Sequence, residues 1–299
     1  MRPRFSPVER FIKFLAHCRA ADMSATVSPW RKPVIGRITA DSSPPARPQS
    51  VVTGFLVTTT ASRARPSSDG SMIRSAAEIL REYGPFPGVD HVHGVTFDGQ
   101  HVWFASGDKL NAFDPASGKM VRSIDVAAHA GTAFDGQHLF QLAEDRIQRI
   151  DPKTGGVLAT IPAPGGGGDS GLAWAEGTLW VGQYRARKIH QIDPQTGALL
   201  RTIEFNRFVT GVTWIDGELW HGTWEGDESD LRRVDPRTRE VLERIEMPPG
   251  MGVSGLESDG GDQFFCGGGR SGKVRAVRRP RRVSAAGSGS ETPFDPASK

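Results

Sequence analysis

An all-β fold, a five-bladed β-propeller, is what this 299-residue sequence predicts, and three observations predict it. A cassette of roughly 40 residues recurs four times in phase, a period typical of propeller blades. Each copy opens Gly-x-x-aromatic, passes an Asp-Gly-like turn, reaches Val/Leu-Trp or Phe, and closes on Asp-Pro-x-Ser/Thr-Gly or a near variant. A worn fifth copy supplies only three strands, and a segment upstream of the first copy offers the fourth.

The first copy runs Gly94–Val95–Thr96–Phe97, Asp98–Gly99, Val102–Trp103, then Asp114–Pro115–Ala116–Ser117–Gly118, and the next three open at Gly131, Gly171 and Gly211. The turns Asp98–Gly99, Asp135–Gly136, Glu176–Gly177 and Asp216–Gly217 put Gly where a tight hairpin needs positive φ. In the later turns Pro fixes φ, the Asp carboxylate accepts a local N–H, and Gly takes the left-handed position. Arg239 replaces that Gly in copy four, which predicts a slightly strained turn. Between turns the runs have strand length, as in Leu179–Trp180–Val181, Lys188–Ile192 and Ala198–Ile203, giving four short strands per blade. Trp103, Trp180 and Trp220, with Phe140 and Phe265 in phase, read as blade core.

Copy five runs from Gly255 through Gln263–Phe264–Phe265 to Lys273–Val277 and has no closing Asp-Pro turn. The segment Ala77–Tyr83 resembles the outer strand Glu240–Ile245, so residues 76–83 are expected to complete the last blade and close the ring. An open ring would leave two sheet edges free to pair elsewhere. The propeller is thus assigned to residues 72–283. Residues 1–71 read as a disordered basic leader, and Met72 makes an over-extended start an explanation for it. Residues 284–299 read as a low-complexity tail.

The first 70 residues hold eleven Lys/Arg against four Asp/Glu, so their +7 exceeds the chain's +3 and the repeat region is net acidic. The basic balance therefore argues neither for a nucleic-acid nor for a membrane partner. Two cysteines, Cys18 and Cys266, provide no disulfide framework, so a soluble, monomeric domain in a reducing cytoplasm is expected. Gly267–Lys273 has phosphate-loop spacing, but Val274 stands where Ser/Thr would hold magnesium and a strand follows. Gly168–Asp169–Ser170–Gly171 resembles a serine-protease nucleophile segment, yet Ser170 merely precedes a blade-opening Gly, as Thr210 and Ser254 do.

Inner strands begin at the blade-opening Gly, so the residues just before it surround one mouth of the central channel. That set contains His91, His93, His129, Asp169, Ser170, Thr210 and Ser254. Loops after each second strand add Tyr184, Trp224 and Glu225. Polar groups over an aromatic floor make a plausible pocket for a small molecule. Histidines converging with one carboxylate could hold a divalent metal or share a proton with a bound amine.

The repeat as a whole, and above all Arg207–Trp224 (RFVTGVTWIDGELWHGTW), resembles the glutaminyl-peptide cyclotransferases of the plant and bacterial type. The resemblance covers about residues 75–278 and implies a five-bladed propeller that closes N-terminal glutamine of peptides to pyroglutamate with release of ammonia. It also implies a glutamate beside a blade-opening Gly as proton shuttle. The corresponding positions are His93, Ala130, Ser170, Thr210 and Ser254, none of them Glu. Streptogramin B lyase is a more distant propeller with similar repeats, and it uses His and Glu with a metal.

The expected activity is accordingly that of a glutamine cyclotransferase-like acyltransferase, with His93, His129 or Glu225 as the acid/base. His91, Asp169, Ser170, Tyr184, Thr210, Trp224 and Ser254 are expected to bind the ligand, a small molecule or peptide N-terminus. The alternatives are a catalytically silent propeller that binds a metabolite or peptide at the same mouth, and a metal-dependent lyase.

Overall fold

The computed structural model describes residues 72–280, and the assignments made for the leader and tail lie outside them. In chain order the strands are β1 (Ile73–Ala76), β2 (Ile79–Tyr83), β3 (Val95–Phe97), β4 (Val102–Ala105), β5 (Gly107–Phe113), β6 (Met120–Ala128) and β7 (Thr132–Phe134). They continue with β8 (Leu139–Ala143), β9 (Arg146–Ile150), β10 (Val157–Pro162), β11 (Asp169–Ala175), β12 (Thr178–Gln183), β13 (Lys188–Ile192) and β14 (Leu199–Glu204). The last are β15 (Val212–Ile215), β16 (Glu218–Glu225), β17 (Glu228–Val234), β18 (Val241–Glu246), β19 (Gly255–Ser258), β20 (Gln263–Gly267) and β21 (Val274–Arg278). They form five antiparallel blades with inner strands β3, β7, β11, β15 and β19. Among the described residues no helix is long and apolar enough to cross a membrane.

The turns follow from their chemistry. Asp98 accepts hydrogen bonds from the backbone N–H of Gln100 and His101, and from the Trp103 indole at 2.7 Å. One carboxylate therefore shapes the hairpin and anchors the core tryptophan. His101 and His138 lie half-buried against Asp98 and Asp135. In the Asp-Pro turns Asp114, Asp151, Asp193 and Asp235 each accept the N–H two residues on. The closing residue is left-handed in all four, with φ of 74°, 78° and 75° at Gly118, Gly155 and Gly197. Arg239 is held at φ 70°, the strain its side chain implies. Trp103, Phe140, Trp180, Trp220 and Phe265 are all buried in the blades.

Ring closure differs from expectation in one respect. The segment over residues 76–83 is not one strand but two attachments. β2 is the outer strand of blade five, antiparallel to β21, whereas β1 lies parallel to β18 as an added fifth strand on blade four. Between them Ala77 donates to the Glu246 carbonyl, and the Glu78 carbonyl accepts from Arg278. The N-terminal segment thus laces two blades together. The Tyr83 ring packs on Phe113 and Phe265, joining blades five and one.

Arginines on the outer strands tie three of the five blade junctions. Arg81 donates to the carbonyls of Pro115 and Ala116 at 2.9 and 2.8 Å, across the closure. Arg122 and Arg201 reach the carbonyls of Lys153 and Pro236 in the same way. Ion pairs add to the closure: Arg275 pairs with Glu82, Arg278 with Glu78 at the surface, and Arg279 with Asp216.

Candidate functional site

The five blade-opening glycines form a ring in which neighbouring blades pack closely. A Cβ on Gly94 would lie 2.3 Å from the Ala130 carbonyl, and one on Gly131 2.4 Å from the Leu172 nitrogen. Gly171 faces the Thr210 carbonyl at 2.4 Å, Gly211 the Leu256 nitrogen at 2.2 Å, and Gly255 the His93 carbonyl at 2.6 Å. Each blade-opening glycine therefore abuts the next blade, and the fifth returns to the first. Any side chain would push backbone against backbone.

Around the mouth the contacts form an arc. The Tyr184 N–H donates to the Gly168 carbonyl beside Asp169, and the Tyr184 hydroxyl donates to the Trp224 carbonyl at 2.9 Å. The Trp224 indole lies over Gly252 and Gly269, where a Cβ would come within 2.2 and 2.8 Å of the ring. The Gly269 carbonyl accepts from Val92, between His91 and His93, whose rings are parallel with centroids 5.8 Å apart. His93 completes the arc by its electrostatic contact with His129.

The electrostatics of this arc are set by burial. Desolvation, followed by the neighbouring His91 and His129, lowers the His93 pKa to about 3, so the ring is neutral at physiological pH. Burial and the Arg270 guanidinium lower His91 in the same direction. Asp169 moves the opposite way. Desolvation raises its carboxyl to about 6, although Gly165 and Gln183 donate to it at 2.8 and 3.4 Å. Both ring nitrogens of His129 are buried without a hydrogen-bond partner.

Other residues expected at the site are engaged elsewhere. Glu225 accepts the Phe208 N–H at 2.7 Å and pairs with Arg207 at 3.1 Å, so its carboxylate oxygens are engaged within the protein. The Ser170 hydroxyl donates to the Val209 carbonyl, and that of Ser254 to the Val92 carbonyl, stitching neighbouring blades. The Thr210 hydroxyl is buried without a partner and turned toward Gly222 of its own blade. Alternation explains this pattern. Along a strand, residues two apart share a face, so Ser170, Thr210 and Ser254, each one before the glycine, lie on the opposite face from the residue two beyond it. Among the described residues no group of three or more His, Cys, Asp or Glu is placed to hold a metal ion, so the donors as arranged do not fit the divalent metal considered from sequence.

The same alternation reveals a residue that the sequence reasoning missed. Two positions beyond each blade-opening glycine stand Thr96, Ala133, Ala173, Thr213 and Glu257. Glu257 accepts hydrogen bonds from Thr96 of blade one at 2.8 Å and from Thr213 of blade four, so one carboxyl bridges three blades. Its side chain is half-buried. Burial pushes its pKa up to about 7 despite those donors. The signal was present in the sequence, as the only acidic residue at that repeat position.

No protein-family profile and no curated sequence matches this chain. Among solved structures it is similar to a glutaminyl cyclase from Myxococcus xanthus, with a TM-score of 0.59 and 19% identity over 69% of this chain and 97% of that one. A virginiamycin B lyase from Staphylococcus aureus matches with a TM-score of 0.40 and 15% identity over 66% of this chain and 69% of that one. The first of these likenesses establishes the shared propeller fold.

Proposed function

We propose that the protein cyclises an N-terminal glutamine at the channel mouth, with Asp169 as the proton-transferring group. The observation that carries this reading is a single carboxyl, raised to about 6 by burial, on the arc shared with Trp224 and the histidines. The likeness of fold to a glutaminyl cyclase supports the same reading. The α-amine attacks the side-chain amide carbon, a C–N bond forms, and the C–N bond to the leaving ammonia breaks. The attacking nitrogen must lose one proton and the leaving nitrogen must gain one. A carboxylate with pKa near the working pH can carry it between them.

The neighbours fit this role. His93, neutral because its pKa is about 3, serves as a hydrogen-bond partner and is a poor proton holder. His129, with two unpartnered buried nitrogens, offers a further hydrogen bond to the substrate amide. Arg270 lies close enough to lower the pKa of His91, and so disfavours the ammonium form of a bound substrate over the amine that attacks. Trp224 supplies an apolar wall for the glutamine methylenes.

Ammonia release from glutamine-initiated peptides by the purified full chain tests this reading. Asp169→Asn is expected to lower kcat by about a hundredfold or more while the fold is kept. In wild type, kcat/KM should rise with pH through about 6 as Asp169 loses its proton. Replacing His93 and His129 together by Ala should mainly weaken substrate binding. An Asp169→Asn protein as active as wild type would defeat the assignment. Peptide binding with no ammonia release would instead support the silent propeller.

A further inference from the structure

The junction between blades two and three lacks a part that other junctions have. Eight residues beyond the Asp of each Asp-Pro turn, the outer strand carries Arg122, Ala159, Arg201 and Glu243 in blades one to four. Arg122 and Arg201 each reach a carbonyl of the next blade's turn. At Ala159 nothing reaches across, and a cavity of about 200 Å³ opens between Ala159 and the turn residues Pro194 and Gln195. Phe140, Ile147 and Ile161 form its apolar wall.

Arg149 also lines this cavity, and its cross-strand partner is Ala159. The Arg149 Nε is buried with no hydrogen-bond partner. Blade four shows what the position calls for. There the equivalent Arg233 faces Glu243 in the same register, and its Nε meets the Glu243 carboxylate at 3.1 Å. Blade two has the arginine without the carboxylate, and the cavity opens beside Ala159 at that position.

We propose that this cavity binds a small carboxylate with an apolar body, its oxygens on Arg149 and its body against the wall at Phe140, Ile147 and Ile161. A guanidinium holds a carboxylate through charge-assisted hydrogen bonds. The volume admits a molecule the size of a single ring or a short branched chain. The site lies on the outer part of the ring and involves none of the channel-mouth residues.

Benzoate is a suitable ligand for calorimetry and thermal shift with the full chain, and benzamide is its neutral counterpart. Wild type should bind benzoate at least about tenfold more tightly than benzamide, as expected for one charge-assisted contact. Arg149→Met should lose that preference. Ala159→Glu should supply the missing carboxylate, raise the melting temperature without ligand, and abolish benzoate binding. Asp169→Asn should bind benzoate like wild type, which separates this site from the mouth. Equal affinity for benzoate and benzamide in wild type, or unchanged benzoate binding in both Arg149→Met and Ala159→Glu, would overturn the proposal.

Discussion

Gly211→Ala is expected to destabilise the propeller by about 4–5 kcal/mol or more, the range reached only when a substitution meets immovable core structure. The added Cβ would lie 2.2 Å from the Leu256 nitrogen, 2.5 Å from the Gly255 carbonyl carbon and 2.6 Å from the Leu256 Cβ. Two of those atoms belong to the backbone of the next blade's inner strand, so no rotamer change relieves the contact. Blade four must move away from blade five. Because the ring is closed, that displacement is passed to the other junctions, where four more glycines are packed as closely. Gly177→Ala is the matched control: its φ of 73° is left-handed, but nothing lies within 4 Å of the new methyl. It should cost only about 1–2 kcal/mol, the penalty of a left-handed alanine. Urea unfolding followed by tryptophan fluorescence measures both. A Gly211→Ala protein as stable as the Gly177→Ala control would show that the glycine ring is not the constraint described.

Which features were legible in the sequence depended on how local their physics is. The Asp-Pro turns were readable because Asp, Pro, Ser/Thr and Gly make their contacts within five residues, as Asp114 does with Ala116 and Ser117. The closing strand β2 was readable because it repeats an outer-strand pattern. The parallel addition of β1 was not, since Ile73–Ala76 is exposed throughout and is held by backbone pairing alone. At the site, repeat position singled out His91, His93 and Asp169 as candidates, but it could not tell which way a side chain points. Ser170, Thr210 and Ser254 share their repeat position with His93, yet their short hydroxyls turn to nearby backbone. Glu225 looked like a free carboxylate only because its partners, Arg207 and Phe208, lie on another strand connection. The role of Glu257 was not legible because its partners, Thr96 and Thr213, belong to other blades and meet it only in the closed ring.

Glu257→Gln should make the protein more stable than wild type at pH 8 while leaving the two nearly equal at pH 5. The amide can still accept from Thr213, and the Thr96 hydroxyl can rotate to accept from it, so the bridge across three blades is kept. What is removed is a buried group that must ionise. In the folded protein the Glu257 pKa is raised from 4.5 to about 7, so between these values the folded state holds a proton that the unfolded chain has released. The stability it contributes is therefore complete below about pH 4.5 and is lost as pH rises through 7. At about 1.4 kcal/mol per pKa unit, and allowing for the part of the side chain that is not buried, the loss is roughly 2–3 kcal/mol. Asp169, raised to about 6, acts in the same direction, while His93 and His221, lowered to about 3 and 4, act oppositely. Those groups are common to both proteins and cancel in the difference. Glu257→Ala, which removes both threonine partners, should by contrast be less stable than wild type at pH 5, where burial of the charge has no part. Urea midpoints at pH 5, 6, 7 and 8 give the comparison directly. If the advantage of Gln over Glu does not grow between pH 5 and 8, Glu257 is not a carboxyl that titrates near neutrality in the channel.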